Sequence, residues 1–211
     1  MTPLSRRAFG TATLATLLVG CAGEATEQDT RAGSRRRRGA QTSAQDASPP
    51  TAANPPRALG RSVPIRLRIP AIAVDTPFLR LGLAPDNTVQ VPPITAHDRA
   101  GWYRHSPTPG QVGPSVVLGH VTVGAYGDGV FRRLDRLRRG DRIVVGREDG
   151  TAAEFAVTAV RTVAKADFPA EDVYGDVARP ELRLITCGGP REGDEYRDNV
   201  IVFAELSSTS P

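Results

Sequence analysis

From residue 63 onward, short runs of β-branched and aliphatic residues recur, and glycine, proline and aspartate separate them. That spacing predicts strands joined by tight connections over 63–69, 88–91, 115–121, 142–147, 153–163, 182–187 and 200–206. In the first of these, Arg66 and Arg68 alternate with Ile65, Leu67 and Ile69, so one face is wet. Only two stretches read as helical: 130–137, where Phe131, Leu134 and Leu137 form a one-sided stripe, and a turn or two at 170–174. So many short strands in about 150 residues imply an all-β domain closed, or nearly closed, into a barrel, because long open edges invite aggregation.

Composition divides the chain near residue 62. Residues 1–62 hold nine arginines against four acids, a net of +5, whereas 63–211 hold 18 Lys and Arg against 19 acids, a net of −1. The basic balance belongs to the tail. The folded part lacks the basic face interleaved with aromatics that a nucleic-acid binder needs, so no nucleic-acid partner is expected. Residues 22–62 have no aromatic and one large aliphatic, Leu59, and read as a disordered Arg/Pro-rich linker; the run Arg35 to Arg38 reads as a solvated charge run.

Residues 1–21 read as an export signal. Arg6 and Arg7 precede a mildly apolar run of 13 residues, 8–20, which is too short to span a bilayer as a helix. The run closes on Leu18-Val19-Gly20-Cys21, which resembles the lipobox of bacterial lipoproteins, and Ser5-Arg6-Arg7-Ala8-Phe9 resembles a twin-arginine export motif. Cys21 is therefore the expected lipidation site and the membrane anchor, with an uncleaved signal anchor as the alternative. That leaves Cys187 without a disulfide partner in an exported setting, where an idle thiol is exposed to oxidation.

Cys187 stands at the end of the apolar run Leu182 to Cys187 and is followed by Gly188 and Gly189. A thiol on a strand end, with glycines that admit another backbone, suggests a nucleophile. Two partners complete a chemistry. His120, at the end of Ser115-Val116-Val117-Leu118-Gly119, can carry a proton, and Arg197, ahead of the last strand, can donate to an oxyanion.

The order Gly119-His120, Thr186-Cys187 and an arginine before the last strand resembles the sortases, the cysteine transpeptidases of Gram-positive surfaces. The flanks IRLRIPAIAVDTP, VQVPP, GWYRHSPTPGQVGPSVVLGHV, DFPAEDVYG, LRLITCGG and YRDNVIVFAEL are most similar to the class F sortases of actinobacteria. The resemblance covers roughly 65–206. It implies an eight-stranded barrel as a catalytic domain over 63–211, with Cys187 as nucleophile and His120 as general acid/base. It also implies a thioacyl exchange in which Cys187 attacks the Thr–Gly bond of an LPxTG-like sorting signal and an amine, typically on a peptidoglycan precursor, resolves the intermediate. In better-studied sortases the arginine's register falls on Asn199 here. Strand alternation puts Arg197 on the same face, displaced by about 6.6 Å, and Arg191 is the runner-up. Thr186 and Asn199 are candidate substrate contacts, and the loop 166–180 is the expected groove wall.

Each of these residues has a plainer reading. Thr186 is also an ordinary β-branched strand residue, Arg197 an ion-pair partner for Glu195 or Asp198, and Phe168 and Tyr174 core aromatics. Trp102 and Tyr103 read as an anchor for the loop 92–114. His97, His105, His120 and Cys187 show no short ligand pair, and Glu192, Asp194 and Glu195 lack the alternation of a calcium loop, so no metal or cofactor is expected. Two rivals stay open: an exported lipoprotein binding module, and a cell-wall cysteine peptidase or L,D-transpeptidase, which would normally place His and Gly just before the cysteine where Ile185-Thr186 stand.

Overall fold

A computed structural model describes residues 56–210 except Asp194. The expected signal and lipidation site, 1–21 with Cys21, and most of the linker lie outside the described residues. Eight strands close a barrel: β1 (Pro64–Ile69), β2 (Val74–Leu81), β3 (Ala100–Tyr103), β4 (Gly113–Leu118), and, past a two-residue hairpin of β5 (Thr122–Val123) and β6 (Gly127–Asp128), β7 (Arg142–Arg147), β8 (Ala152–Ala164), β9 (Pro180–Glu192) and β10 (Glu195–Ser210). Their order around the barrel is β1-β2-β3-β4-β9-β10-β8-β7. Most neighbours are antiparallel; β2–β3 and β4–β9 are parallel. Closure pairs β1 with β7 and so removes the open edge that the sequence pattern disfavoured.

Alternation sorts each strand's side chains. Leu182, Leu184, Val200, Val202, Ala204 and Leu206 enter the main core with Leu67, Ile69, Trp102, Phe131 and Phe155. Ile185, Ile201 and Phe203 belong to a smaller second core with Val116 and Val173, the latter from α1 (Ala170–Tyr174). Packing α1 there covers a patch that β4, β9 and β10 would otherwise expose.

Several expected elements differ. β2 and β3 were not anticipated, since Pro77 and Asp75 interrupt the first and Gly101 the second. Pro77 is nevertheless accommodated opposite Arg66, and Gly101 is needed because a Cβ there would come within 2.6 Å of Leu81 Cγ. The stretch 88–91 is no strand: only a bridge between Leu83 and Val89 forms. The helix expected over 130–137 is a series of turns ending in a 3-10 turn, Leu134–Arg136, yet the stripe Phe131, Leu134 and Leu137 is buried as a helical face would be. Trp102 is a core residue within a strand and donates Nε1–H to Pro107 O at 3.2 Å.

The linker boundary at residue 62 encloses a segment that already lies on the barrel. Leu59 packs against the main core and its N–H donates to Gly110 O at 2.8 Å. Arg147, 2% exposed, donates Nη2–H to Gly60 O and Nη1–H to Thr151 Oγ1. Burial lowers the pKa of this guanidinium, and Asp149 at 3.7 Å opposes that shift.

Candidate active site

Cys187 is a free, half-buried thiol. It is not at a strand end: β9 continues to Glu192, although burial stops at Gly188. Its register places it after Arg183 and Ile185 on the second-core face, directly opposite Asn199. The two glycines make room for neighbouring side chains and not for another backbone. A Cβ at Gly188 would approach Val200 Cγ2 to 2.6 Å, and one at Gly189, whose φ is +71°, would overlap the Asp198 carboxylate.

His120 lies two residues beyond β4 and is fixed through its backbone. Phe131 N–H donates to His120 O at 2.9 Å, Gly129 N–H to Val121 O at 2.9 Å, and Gly119 N–H to Ile185 O at 3.1 Å. Gly129 must be glycine, because a Cβ there would overlap the His120 carbonyl. The turns at 130–137 thus serve two ends: they bury Phe131 and they hold the histidine. On the side chain, Nε2 donates to Pro92 O at 2.6 Å.

Two clefts meet at Cys187. One, of about 320 Å³, is lined by His120, Thr122, Lys165, Cys187, Arg191 and Tyr196. The other, of about 290 Å³, opens at the barrel mouth, where Thr186, Val200 and Thr162 form a cross-strand row beneath Phe131. Thr186 is 4% exposed and faces inward, and its Oγ1 has no hydrogen-bond partner among the described residues.

The structure brings Cys187, His120, Thr186 and Asn199 to one end of the barrel, but Arg197 points elsewhere. A register shift between Tyr196 and Asp198 breaks the alternation that put Arg197 on the Asn199 face. Arg197 lines a neighbouring cleft of about 440 Å³ with Lys165 and Glu195, and its Nη1 lies 3.4 Å from Glu192 Oε2, in place of the anticipated Glu195 or Asp198 partner. Arg191 lines the His120–Cys187 cleft and stacks on Tyr196 at 5.4 Å.

Two features were missed in the sequence. Tyr196 lines both clefts and shares a hydrogen bond of 2.8 Å with Thr122 Oγ1, which ties β10 to the loop after His120. Arg183, 4% exposed, pairs with Glu181 at 2.5 Å, donates Nε–H to Asp172 O of α1 at 3.1 Å and stacks on Phe203, which Arg161 also covers. A charged residue inside an otherwise apolar strand was the available signal. Next to this network, Phe168 and Tyr174 stack on one another at 6.1 Å, with Tyr103 6.5 Å from Tyr174. Burial pushes the Tyr174 phenol above its ordinary pKa, and Tyr103 adds to that. Among the described residues no group of three or more His, Cys, Asp or Glu side chains could hold a metal ion, and no helix is long and apolar enough to cross a membrane.

The closed barrel has counterparts among solved structures. Sortase A (SrtA) from Actinomyces oris is 26% identical over 76% of this chain and 89% of that one, with a TM-score of 0.52. Listeria monocytogenes sortase A is 19% identical over 71% and 90%, with a TM-score of 0.53, and sortase C-1 from Actinomyces oris 21% over 68% and 74%, also 0.53. No curated protein matches the chain. The Sortase domain family model matches residues 67–207. The chain belongs to the sortase family, and its fold is that of the sortase transpeptidases.

Proposed function

We propose that this sortase cleaves an LPxTG-like sorting signal through a thioacyl bond to Cys187 and passes the acyl group to an amine, a peptidoglycan precursor being the expected source. The observation that carries the reading is the shared cleft of Cys187 and His120 at the end of a sortase barrel. In the first step the Cys187 thiolate attacks the Thr carbonyl, the C–N bond breaks, and imidazolium His120 protonates the departing amine. In the second step an incoming amine attacks the thioester, gives its proton to His120, and Cys187 leaves as thiolate. The loop 166–180, which carries α1 and the Phe168–Tyr174 pair beside the second core, is the proposed wall for the signal, and Thr186 and Asn199, the neighbour and the cross-strand partner of Cys187, are the proposed substrate contacts.

Arg197 is the proposed oxyanion donor and must leave Glu192 to act. A second reading gives that task to Arg191, favoured by its place on the cleft. The similarity of the flanks to class F sortases and the anchoring of the protein outside the membrane through Cys21 belong to the same proposal. A lipid-modified N-terminus at Cys21, sought by mass spectrometry of the membrane fraction, tests the anchor; recovery of an intact Met1 there sinks it.

The central test is a peptide-library cleavage assay with wild type and Cys187→Ala. Wild type should release the C-terminal fragment and, with an added amine, form the amide. Equal turnover by both proteins would defeat the mechanism, and peptide binding without turnover by wild type would favour the binding-module rival.

A further inference from the structure

The residues that flank His120 extend beyond the cleft. A backbone carbonyl can only accept, so the 2.6 Å contact from His120 Nε2 to Pro92 O requires a proton on Nε2 whenever it is made. The neutral ring is then the Nε2–H tautomer with Nδ1 bare, because the hydrogen bond at one ring nitrogen decides the state of the other. Pro92 is buried but lies in no strand; it belongs to the long connection between β2 and β3. The tie that sets this connection is made by Gln90. Its side-chain Oε1 accepts from Gly82 N–H at 2.8 Å, and its own N–H donates to Gly82 O at 3.0 Å, directly after β2 ends. Ala84 N–H to Thr88 O at 2.8 Å and a left-handed Asn87, φ +65°, complete the turn between them.

We infer that Gln90 is a positioning residue for His120: by pinning the β2–β3 connection to Gly82 it presents the Pro92 carbonyl to Nε2 and leaves Nδ1 as the atom that exchanges protons at Cys187. The inference rests on His120 being the acid/base. Written through the reaction, imidazolium His120 gives its Nδ1 proton to the departing amine while Nε2–H stays on Pro92 O. The incoming amine then returns a proton to Nδ1. A ring flipped to the other tautomer would have Nδ1 already protonated and unable to take that second proton. Gln90's side chain is exposed and contributes nothing to the core, so its loss spares the barrel.

The test is 15N NMR of the histidine rings in the full chain, at a pH high enough for neutral imidazole, together with steady-state kinetics on a sorting-signal peptide. In wild type, His120 Nδ1 should resonate as the bare nitrogen and Nε2 as the protonated one. Gln90→Ala should show a mixture of tautomers and a kcat lower by about tenfold to a hundredfold, with KM within about twofold. Gln90→Glu, which keeps an acceptor oxygen for Gly82 N–H, should restore both. A protonated Nδ1 in neutral wild type, or a Gln90→Ala variant with wild-type tautomer and kcat, overturns the inference. If no peptide is turned over, the proposed function falls on its own, and the tautomer change in Gln90→Ala still decides whether Gln90 positions the ring.

Discussion

Asn199 stands directly across from Cys187 in the antiparallel β9–β10 ladder, and Val163 of β8 flanks it on the other side. Directly opposed residues have Cβ atoms about 4.5–5.5 Å apart. The two side chains therefore share a face, and in the proposed mechanism the Asn199 amide is near an acyl group carried on the Cys187 thiol.

Asn199→Ala is predicted to lower kcat of peptide cleavage by about tenfold, less than the roughly 10²–10³-fold that loss of a principal oxyanion donor costs. Unchanged kinetics would show that the amide faces no developing charge.

In the proposed mechanism Arg197 has to give up Glu192 before it can face the thiol. Glu192→Gln should raise kcat/KM modestly, by up to about fivefold, since an exposed ion pair is worth no more than about 1 kcal/mol. Arg197→Ala should lower it by about a hundredfold. If Arg191→Ala has the larger effect and Glu192→Gln none, the donor is Arg191.

Gly189 combines a positive φ with close approach of Asp198. Gly189→Ala is predicted to destabilise the domain by about 1–2 kcal/mol or more, read from urea unfolding, with the strand between Cys187 and Tyr196 displaced. A neutral effect would mean that Asp198 can move aside freely.

Asp75, Asp149 and Glu154 all have carboxyl pKa values below the ordinary range, held down chiefly by hydrogen bonds from Arg66, Thr151 and Arg142 respectively. A lowered folded-state pKa gives stability that is complete above the unfolded value and lost as pH falls through the folded one. Thermal unfolding midpoints should therefore drop on acidification below the usual carboxylate range. Asp75→Asn should make that drop shallower, and an identical acid limb in this variant would remove Asp75 from the account.

Tyr174 behaves in the opposite sense. With the phenol pKa raised, its contribution is complete below the ordinary tyrosine range and lost as pH rises through the folded value. Spectrophotometric titration of Tyr174→Phe against wild type should remove a tyrosine that ionises above the ordinary range, and an unchanged alkaline limb would remove Tyr174 from the account.

The barrel was legible because its signal survives: alternation in β1, β7 and β8, and continuous apolar runs in β4, β9 and β10, where both faces are buried. It failed for β2 and β3, where Pro77, Asp75 and Gly101 look like breakers but sit at positions whose neighbours tolerate them. The stripe at 130–137 misled about helicity because burying Phe131, Leu134 and Leu137 requires only that they face one way, which successive turns also achieve. At the site, Cys187 and His120 could be singled out by residue type and by resemblance. The direction of Arg197 could not, because a one-residue register shift two positions before Asn199 leaves no mark on composition. Pro92 and Gln90 escaped notice for a related reason: their part is played by a carbonyl and by a loop tie that no motif encodes.

The clasp of Arg147 on Gly60 closes at the β7–β8 turn, beside Ala152, while Ala164 at the other end of β8 flanks Asp198 near the thiol. Those twelve steps are about 40 Å of strand at roughly 3.3 Å each. Any load on the segment at Gly60 would thus enter the hairpin remote from Cys187 and be shared there with the ladder of β1 and β7. The end of the barrel that carries Cys187 lies away from that hairpin, so a pull on the segment held by Arg147 would leave the geometry around the thiol undisturbed.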